Sequence, residues 1–184
     1  EHAINVALIL QQMILDQKTV IAGLLHDVAF GLPPTDRIIT FKEIEKGFGQ
    51  DILKLVEGVS EIKKIYYSFN IKKDNFFDKE KTENLIKMFL AISQDLRVIL
   101  IELASRIDGL NKIDLLSPET KKLYATETLE IFVPIANRLG LGEIKTKLED
   151  LSFQYLYPDK FKWLQENIKE KHEERQKYLK KFIP

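Results

Sequence analysis

Apolar side chains recur every three or four residues along almost the whole chain, and this spacing constrains the possible fold more than any other feature. The stretch 51–67 is an example, because its Ile, Leu and Val residues fall on one face of a helix. Only 8 Gly and 6 Pro interrupt the 184 residues. The sequence therefore predicts an all-α fold, a bundle of roughly eight to ten helices.

One segment, 96–104, is apolar on nearly every side and suits a buried strand as well as a buried helix. The apolar pattern continues to Ile113, which makes the segment too long for a typical strand. We therefore predict a central buried helix here.

The helix ends are marked by residues that cap or break helices. N-cap residues are predicted at Thr40, Asp78, Asp95 and Ser117. Thr40 has Glu43 three residues later, which is the spacing of a capping box. The helix that follows Ser117 is expected to kink at Pro134 and to end at Gly140.

Composition and charge exclude several classes of protein. The 28 basic and 28 acidic residues cancel, so we expect this domain to bind neither nucleic acid directly nor a membrane. No uninterrupted apolar run approaches the ~20 residues that a membrane-spanning helix needs. The chain has no cysteine, which excludes disulfides and thiolate metal sites and fits the cytoplasm. No secretory signal opens the chain; it starts inside a helical pattern, so we expect further residues upstream.

The last part of the chain differs in kind from the rest. After Ile168 the apolar stripe thins out, while basic and acidic side chains intermingle. A phosphate-binding helix is one interpretation, but a solvated helix with ion pairs between residues four apart fits the mixed charge better. We predict two parts: a domain over 1–158, and a charged helix over 159–184 that leads toward another domain.

The motif with the clearest chemistry is His26-Asp27, which follows an apolar helical stretch. His2 lies on the preceding apolar helix, so two imidazoles and a carboxylate are expected to converge on one metal ion. Phe30 and Gly31 come next, where acidic residues would be needed to assist hydrolysis. The pattern is typical of a hydrolase scaffold whose active site has been emptied.

Longer segments make the chain resemble a known family. They are GLLHDV (23–28), FGQDILKLVEGV (48–59), DLRVILI (95–101), ETLEIFVPIANRLG (127–140) and KLEDLSFQYL (147–156). On these segments the chain resembles the N-terminal HD-type hydrolase domain of the RelA/SpoT proteins, which make and degrade the guanosine alarmones ppGpp and pppGpp. The resemblance covers nearly the whole chain and implies an HD-domain helical bundle. Another HD phosphohydrolase would share His26-Asp27 but not the second half.

The resemblance also implies a degenerate active site. In active members of the family, two His and two Asp hold a manganese ion, and a Glu-Asp pair after the HD motif supports the attacking water. Three metal ligands carry over to this chain: His2, His26 and Asp27. Ser105 stands at the fourth position and is a poor ligand, and Gly109 replaces a substrate-contacting Asn. Phe30 and Gly31 stand at the positions of the catalytic pair, and Phe30 can neither orient water nor carry a proton, so no catalytic residue is assigned.

Other residues have two interpretations each. Asp108 lies one turn beyond Ser105, but its rotation around the helix makes it a poor substitute ligand. The remaining candidate substrate contacts are Arg106, Asn137 and Arg138. An Arg on such a helix is more often a structural ion-pair partner, which is the interpretation that we prefer. We also favour a vestigial, hydrogen-bonded His26–Asp27 pair over a tight metal site. No cofactor is then expected, and Mn²⁺ is the expected ion if the site is still filled.

The resulting functional prediction is a catalytically inactive, ppGpp-hydrolase-like regulatory domain of a RelA-type GTP pyrophosphokinase. Such a protein acts in guanosine tetraphosphate metabolism and the stringent response. The expected partners are the C-terminal synthetase domain of the same polypeptide, whose sequence is absent from this chain, and a guanine nucleotide. Two alternatives stay open: a weak Mn-dependent ppGpp 3′-pyrophosphohydrolase, and an interaction or dimerisation module.

Overall fold

The structure is a computed structural model that describes residues 1–13, 15–28, 39–70, 83, 86–87 and 95–168, with the backbone alone over 67–70. Its helices are α1 (His2–Gln12), α2 (Gln17–Leu25), α3 (Phe41–Phe48), α4 (Gln50–Asn70), α5 (Leu96–Asn111), α6 (Pro118–Glu127), α7 (Val133–Arg138), α8 (Gly142–Leu156) and α9 (158–168). A 3₁₀ turn, Ile113–Leu115, precedes α6, and a π-helical turn, Thr128–Phe132, joins α6 to α7. No strand occurs in these ranges, which confirms the all-α prediction.

Helix α5 is the centre of the bundle, as the apolar segment 96–104 predicted. It packs against α1, α2, α4 and α8, and Ile101, Leu103 and Ile107 are fully buried along it. Helix α5 therefore places its few polar residues at fixed positions inside the molecule, beside the start of α1 and the end of α2.

Two glycines allow neighbouring helices of the bundle to approach each other closely. A Cβ on Gly23 would lie 2.4 Å from Leu10 Cδ1, so Gly23 permits the close contact of α2 with α1. A Cβ on Gly58 would lie 2.8 Å from Val98 Cγ2, so Gly58 likewise permits the close contact of α4 with α5. His26, just after α2, lies beside His2 at the start of α1, with 5.2 Å between the centroids of their rings.

The predicted caps are present wherever the structure describes them. The Thr40–Glu43 capping box is complete, and the side chains of Asp95 and Ser117 accept hydrogen bonds from the first-turn amides of α5 and α6. Gly140 ends α7 with a positive φ of 71°. Asp78 lies outside the described residues.

The helix that follows Ser117 changes its hydrogen-bonding pattern before Pro134, the residue at which the sequence predicts a kink. Proline has no amide hydrogen and its ring displaces the carbonyl one turn before it, so the helix has to open on the N-terminal side. The structure accommodates this with the π-helical turn Thr128–Phe132, immediately before α7. None of the described helices is long and apolar enough to span a membrane.

Candidate metal centre and adjoining cleft

The fold brings three predicted ligands together. His2 begins α1, while His26 and Asp27 follow α2, and their candidate ligand atoms lie within 4.8 Å of one another. Asp27 Oδ2 is 3.4 Å from His26 Nε2 and 3.6 Å from His2 Nε2. Ligands at about 2.1 Å from one octahedral ion lie about 3 Å apart, so this spacing is close to that of a metal centre.

The protonation of His26 suits a metal ligand. Its side chain is fully buried, and Nδ1 donates a hydrogen bond to the Gly23 carbonyl at 2.7 Å. The lone pair therefore lies on Nε2, and this atom is buried without a hydrogen-bond partner in the described structure. Burial, reinforced by the nearby Lys63 charge, lowers the pKa of His26 to about 4, so the imidazole is neutral near pH 7.

This arrangement corrects the prediction of a hydrogen-bonded His26–Asp27 pair. The proton of His26 is used on Gly23, and neither Nε2 nor the ionised Asp27 carboxylate has a hydrogen to donate. The two atoms lie 3.4 Å apart without a hydrogen bond. His26 Nε2 is thus left with a lone pair that no described side chain uses, which is the state of a metal ligand and not of a hydrogen-bonded pair.

His2 is held on both sides of its ring. Nδ1 lies 2.5 Å from Asp108 Oδ2, and Nε2 lies 3.1 Å from the Ser105 hydroxyl. Asp108 also accepts hydrogen bonds from Asn5 and Lys112, both at 2.9 Å. Asp108 therefore orients the imidazole from the side away from Asp27 and is not placed as a fourth ligand.

Ser105 occupies the remaining side of the centre, as the resemblance implies. Its hydroxyl faces His2 Nε2 and contributes no charge, so Asp27 is the one carboxylate in the group of candidate ligands found among the described residues. The donor spacing thus fits a divalent cation that His2, His26 and Asp27 would hold. The charge fits poorly, because divalent oxygen-seeking ions favour several anionic ligands.

Asp27 also forms an ion pair with a lysine side chain. The ammonium of Lys63, on α4, contacts Asp27 Oδ1, and the Lys63 side chain is only 12% exposed. Burial acts to raise the pKa of Asp27, but Lys63 and the neighbouring imidazoles outweigh it, and the pKa lies below its usual value. Asp27 is therefore ionised, and its charge is balanced by Lys63.

A cleft of about 420 Å³ adjoins the centre, between α1, α4, α5 and α6. His2, Asp27 and Ser105 line one end, and Gly109 and Tyr124 line the wall farther along. A Cβ on Gly109 would lie 2.1 Å from the Tyr124 hydroxyl oxygen, so an Asn at position 109 requires Tyr124 to move.

Arg106 lines the cleft, but its guanidinium is engaged in the protein. It donates to Thr128 Oγ1 at 2.8 Å, to the Tyr124 carbonyl at 2.6 Å and to Glu127 Oε2 at 3.1 Å. It also lies 3.5 Å from the centre of the Tyr124 ring. This geometry agrees with the preferred interpretation of Arg106 as a structural ion-pair partner.

The other two candidate substrate contacts lie elsewhere. Asn137 and Arg138 are exposed at the end of α7 and are not among the described residues that line the cleft. Asn137 accepts a hydrogen bond from Lys145 at 3.2 Å. Phe30 and Gly31 lie outside the described residues.

Sequence reasoning missed two charged residues of the cleft. Glu102 lies one helical turn before Ser105 on α5, its Oε2 is buried without a hydrogen-bond partner among the described residues, and burial raises its pKa. The three-residue spacing between Glu102 and Ser105 places both side chains on one face of the predicted helix, so the sequence alone could have indicated Glu102. For Lys63 no signal existed, because nothing in the local pattern separates it from the exposed Lys64.

Comparison with known proteins supports the family suggested by this geometry. The sequence profile of the HD domain matches residues 1–142. A guanosine-3′,5′-bis(diphosphate) 3′-pyrophosphohydrolase of Aquifex aeolicus is 40% identical over 99% of this chain and 24% of its own length. The bifunctional (p)ppGpp synthase/hydrolase SpoT of Escherichia coli K12 matches with the same three values.

A GTP pyrophosphokinase of Myxococcus xanthus is 39% identical over 97% of this chain and 22% of its own length. The chain thus spans about a quarter of the length of these relatives. The profile match covers most of the chain, and the identities extend over nearly all of it. The chain belongs to the HD domain family and, within that family, to the RelA/SpoT type.

Proposed function

We propose that this ppGpp-hydrolase-like domain does not hydrolyse ppGpp and acts as a regulatory domain. The observation that carries the proposal is Ser105, whose hydroxyl faces His2 Nε2 where active relatives would need a carboxylate. A neutral hydroxyl neither adds charge to hold Mn²⁺ nor helps that ion to lower the pKa of a bound water. Phe30 and Gly31 stand at the positions of the catalytic acids. Because neither can assist proton transfer, they also argue against hydrolysis.

The regulatory part of the proposal rests on the relatives. They are about four times as long as this chain, and two of them are named for a synthetase or pyrophosphokinase activity. We infer that a synthetase domain follows in a RelA-type parent protein of the cytoplasm and the stringent response. This domain would then bias its neighbour between two states by packing against it, with a guanine nucleotide as the possible effector.

A weak manganese-dependent ppGpp 3′-pyrophosphohydrolase is the second candidate, and specific observations favour it. The Nε2 lone pair of His26 faces the centre, which is what a metal needs, and Nε2 of His2 faces the same Asp27 carboxylate. Glu102 offers a carboxyl group with a raised pKa in the same cleft, a property of many general acids and bases.

Product analysis separates the two candidates. The chain is incubated with ppGpp and Mn²⁺, pyrophosphate release is followed by chromatography, and the E. coli relative named as a hydrolase serves as the positive control. We expect no release from this chain. Turnover near ~1 per second or above would establish the hydrolase and exclude the inactive domain. Calorimetry with ppGpp, with and without Mn²⁺, then reports whether the cleft binds the nucleotide without cleaving it.

A further inference from the structure

We propose that Lys63 is the resident cation of the metal centre: its ammonium supplies the positive charge that Asp27 needs, so the domain binds divalent metal weakly. This role of Lys63 affects cation binding alone and is the same whether or not the chain hydrolyses ppGpp.

The two oxygens of Asp27 are divided between two kinds of partner. Oδ1 contacts the Lys63 ammonium, while Oδ2 faces the Nε2 atoms of His26 and His2 at 3.4 Å and 3.6 Å. The ammonium arrives from α4, a helix that contributes no candidate metal ligand among the described residues. The Asp27 carboxylate therefore joins side chains from α1 and α4 to the segment that follows α2.

Each described carboxylate in contact with the centre already faces an ammonium of the protein. Asp27 contacts Lys63, and Asp108, which also contacts His2, pairs with Lys112 at 2.9 Å, so neither carboxylate offers an unbalanced charge to attract a divalent cation. Adding such an ion would leave a net charge of about +2 among partly buried groups, where repulsion is screened less than in water. Ser105 cannot offset this charge, because its hydroxyl is neutral.

The other carboxyl groups of the cleft do not change this balance. Glu127 is paired with the guanidinium of Arg106 at 3.1 Å. Glu102 has a buried Oε2 without a hydrogen-bond partner in the described structure, and it does not belong to the group of candidate ligands found among the described residues. Asp27 is thus the carboxylate on which both Lys63 and an incoming metal would depend.

Manganese binding tests the proposal directly. The paramagnetic resonance signal of free Mn²⁺ is titrated with the 184-residue chain and with the variants Lys63→Met, Lys63→Gln and Lys63→Arg. We expect Lys63→Met and Lys63→Gln to bind Mn²⁺ at least tenfold more tightly than the unaltered chain. Lys63→Arg should bind as weakly as the unaltered chain, because it keeps the charge.

Two controls make the outcome specific. Lys64→Met removes an exposed lysine of the same helix and should change affinity by less than twofold. In an Asp27→Asn background, Lys63→Met should have no effect, since the charge that Lys63 balances is gone. Circular dichroism without metal confirms that each variant is folded.

Tight Mn²⁺ binding by the unaltered chain would overturn the proposal. So would an affinity that stays the same or falls in both Lys63→Met and Lys63→Gln, because Lys63 would then be supporting the site rather than replacing its ion. Pyrophosphate release is measured separately, so failure of this inference is distinct from failure of the proposed function.

Discussion

At the scale of single residues, the tautomers of two histidines decide what the centre offers a ligand. His26 donates Nδ1–H to a backbone carbonyl, and His2 directs Nδ1 toward Asp108. His26 therefore presents an unprotonated Nε2 to Asp27, which is the state a metal ion requires, and His2 turns its Nε2 toward the same carboxylate. The imidazoles are prepared for a cation even though the anionic ligands around them are too few.

The buried state of His26 makes the stability of the domain depend on pH. Its pKa in the folded chain, about 4, is below the ordinary value of 6.5, so protons bind the unfolded chain more readily. The stabilising contribution is complete above about pH 6.5 and is lost as pH falls toward 4; at pH 5 the loss is about 2 kcal/mol. Urea unfolding in metal-free buffer at pH 7.5 and pH 5 measures it.

His26→Gln provides the reference for that measurement. In this variant the side chain at position 26 no longer titrates. The free energy of unfolding of the natural chain should therefore fall relative to that of the variant between pH 7.5 and pH 5. A constant difference between the two proteins would show that His26 is not held neutral by burial.

Ser105→Asp tests the division of labour in the centre. The new carboxylate would stand beside His2 Nε2, and we expect Mn²⁺ affinity at least tenfold above that of the neutral, similarly sized Ser105→Asn. Hydrolysis of ppGpp should still be absent, because Phe30 and Gly31 supply no acid or base. Pyrophosphate release by Ser105→Asp alone would refute this separation of metal binding from proton transfer.

At the scale of helices, α5 combines the core of the domain with one wall of the cleft. Ile101, Leu103 and Ile107 are buried, while Ser105 and Arg106 line the cleft. Arg106 then connects α5 to the end of α6 and to the π-helical turn through hydrogen bonds to the Tyr124 carbonyl, Glu127 and Thr128. The π-helical turn before Pro134 is thus connected to the helix that carries the site.

Arg106→Lys should destabilise the domain although it keeps the charge. A lysine cannot replace the planar fork of donors, and it would leave buried acceptors unpaired. We expect a loss of about 3 kcal/mol in the free energy of unfolding. Arg97→Lys is the matched control, because Arg97 pairs with Asp95 and Asp16 near the surface and should lose less than about 1 kcal/mol. Equal losses would mean that the Arg106 network is not structural.

The elements were predictable because their signals are local. Periodicity identified α5 as a helix, and the capping pattern at Thr40 located the start of α3. The centre was predictable in part, since the motif residues His26 and Asp27 identified it. Lys63 was not, because its contact with Asp27 joins segments far apart in sequence. The orientation of His2 by Asp108 depends on packing that the helical pattern does not determine.

At the scale of the whole molecule, the chain spans about a quarter of the length of its relatives, and the proposed function requires an outer surface on which a further domain packs. α9 bears a candidate for such a surface. Trp163 and Ile168 are 61% and 63% exposed on it. By contrast Leu148, on α8, is fully buried in the core.

This contrast predicts where the folded core ends. Ending the chain after Tyr157 removes α9, whose described residues include no buried apolar group, although it does separate Phe161 from Phe153, whose rings lie 6.4 Å apart. We expect a loss of about 1 kcal/mol or less in the free energy of unfolding, against about 2–5 kcal/mol for Leu148→Ala. Urea unfolding of the three proteins makes the comparison. If shortening costs as much as Leu148→Ala, α9 belongs to the core and the division between 1–158 and 159–184 is wrong. If it costs little, the apolar face of α9 contributes to folding only where a further domain covers it.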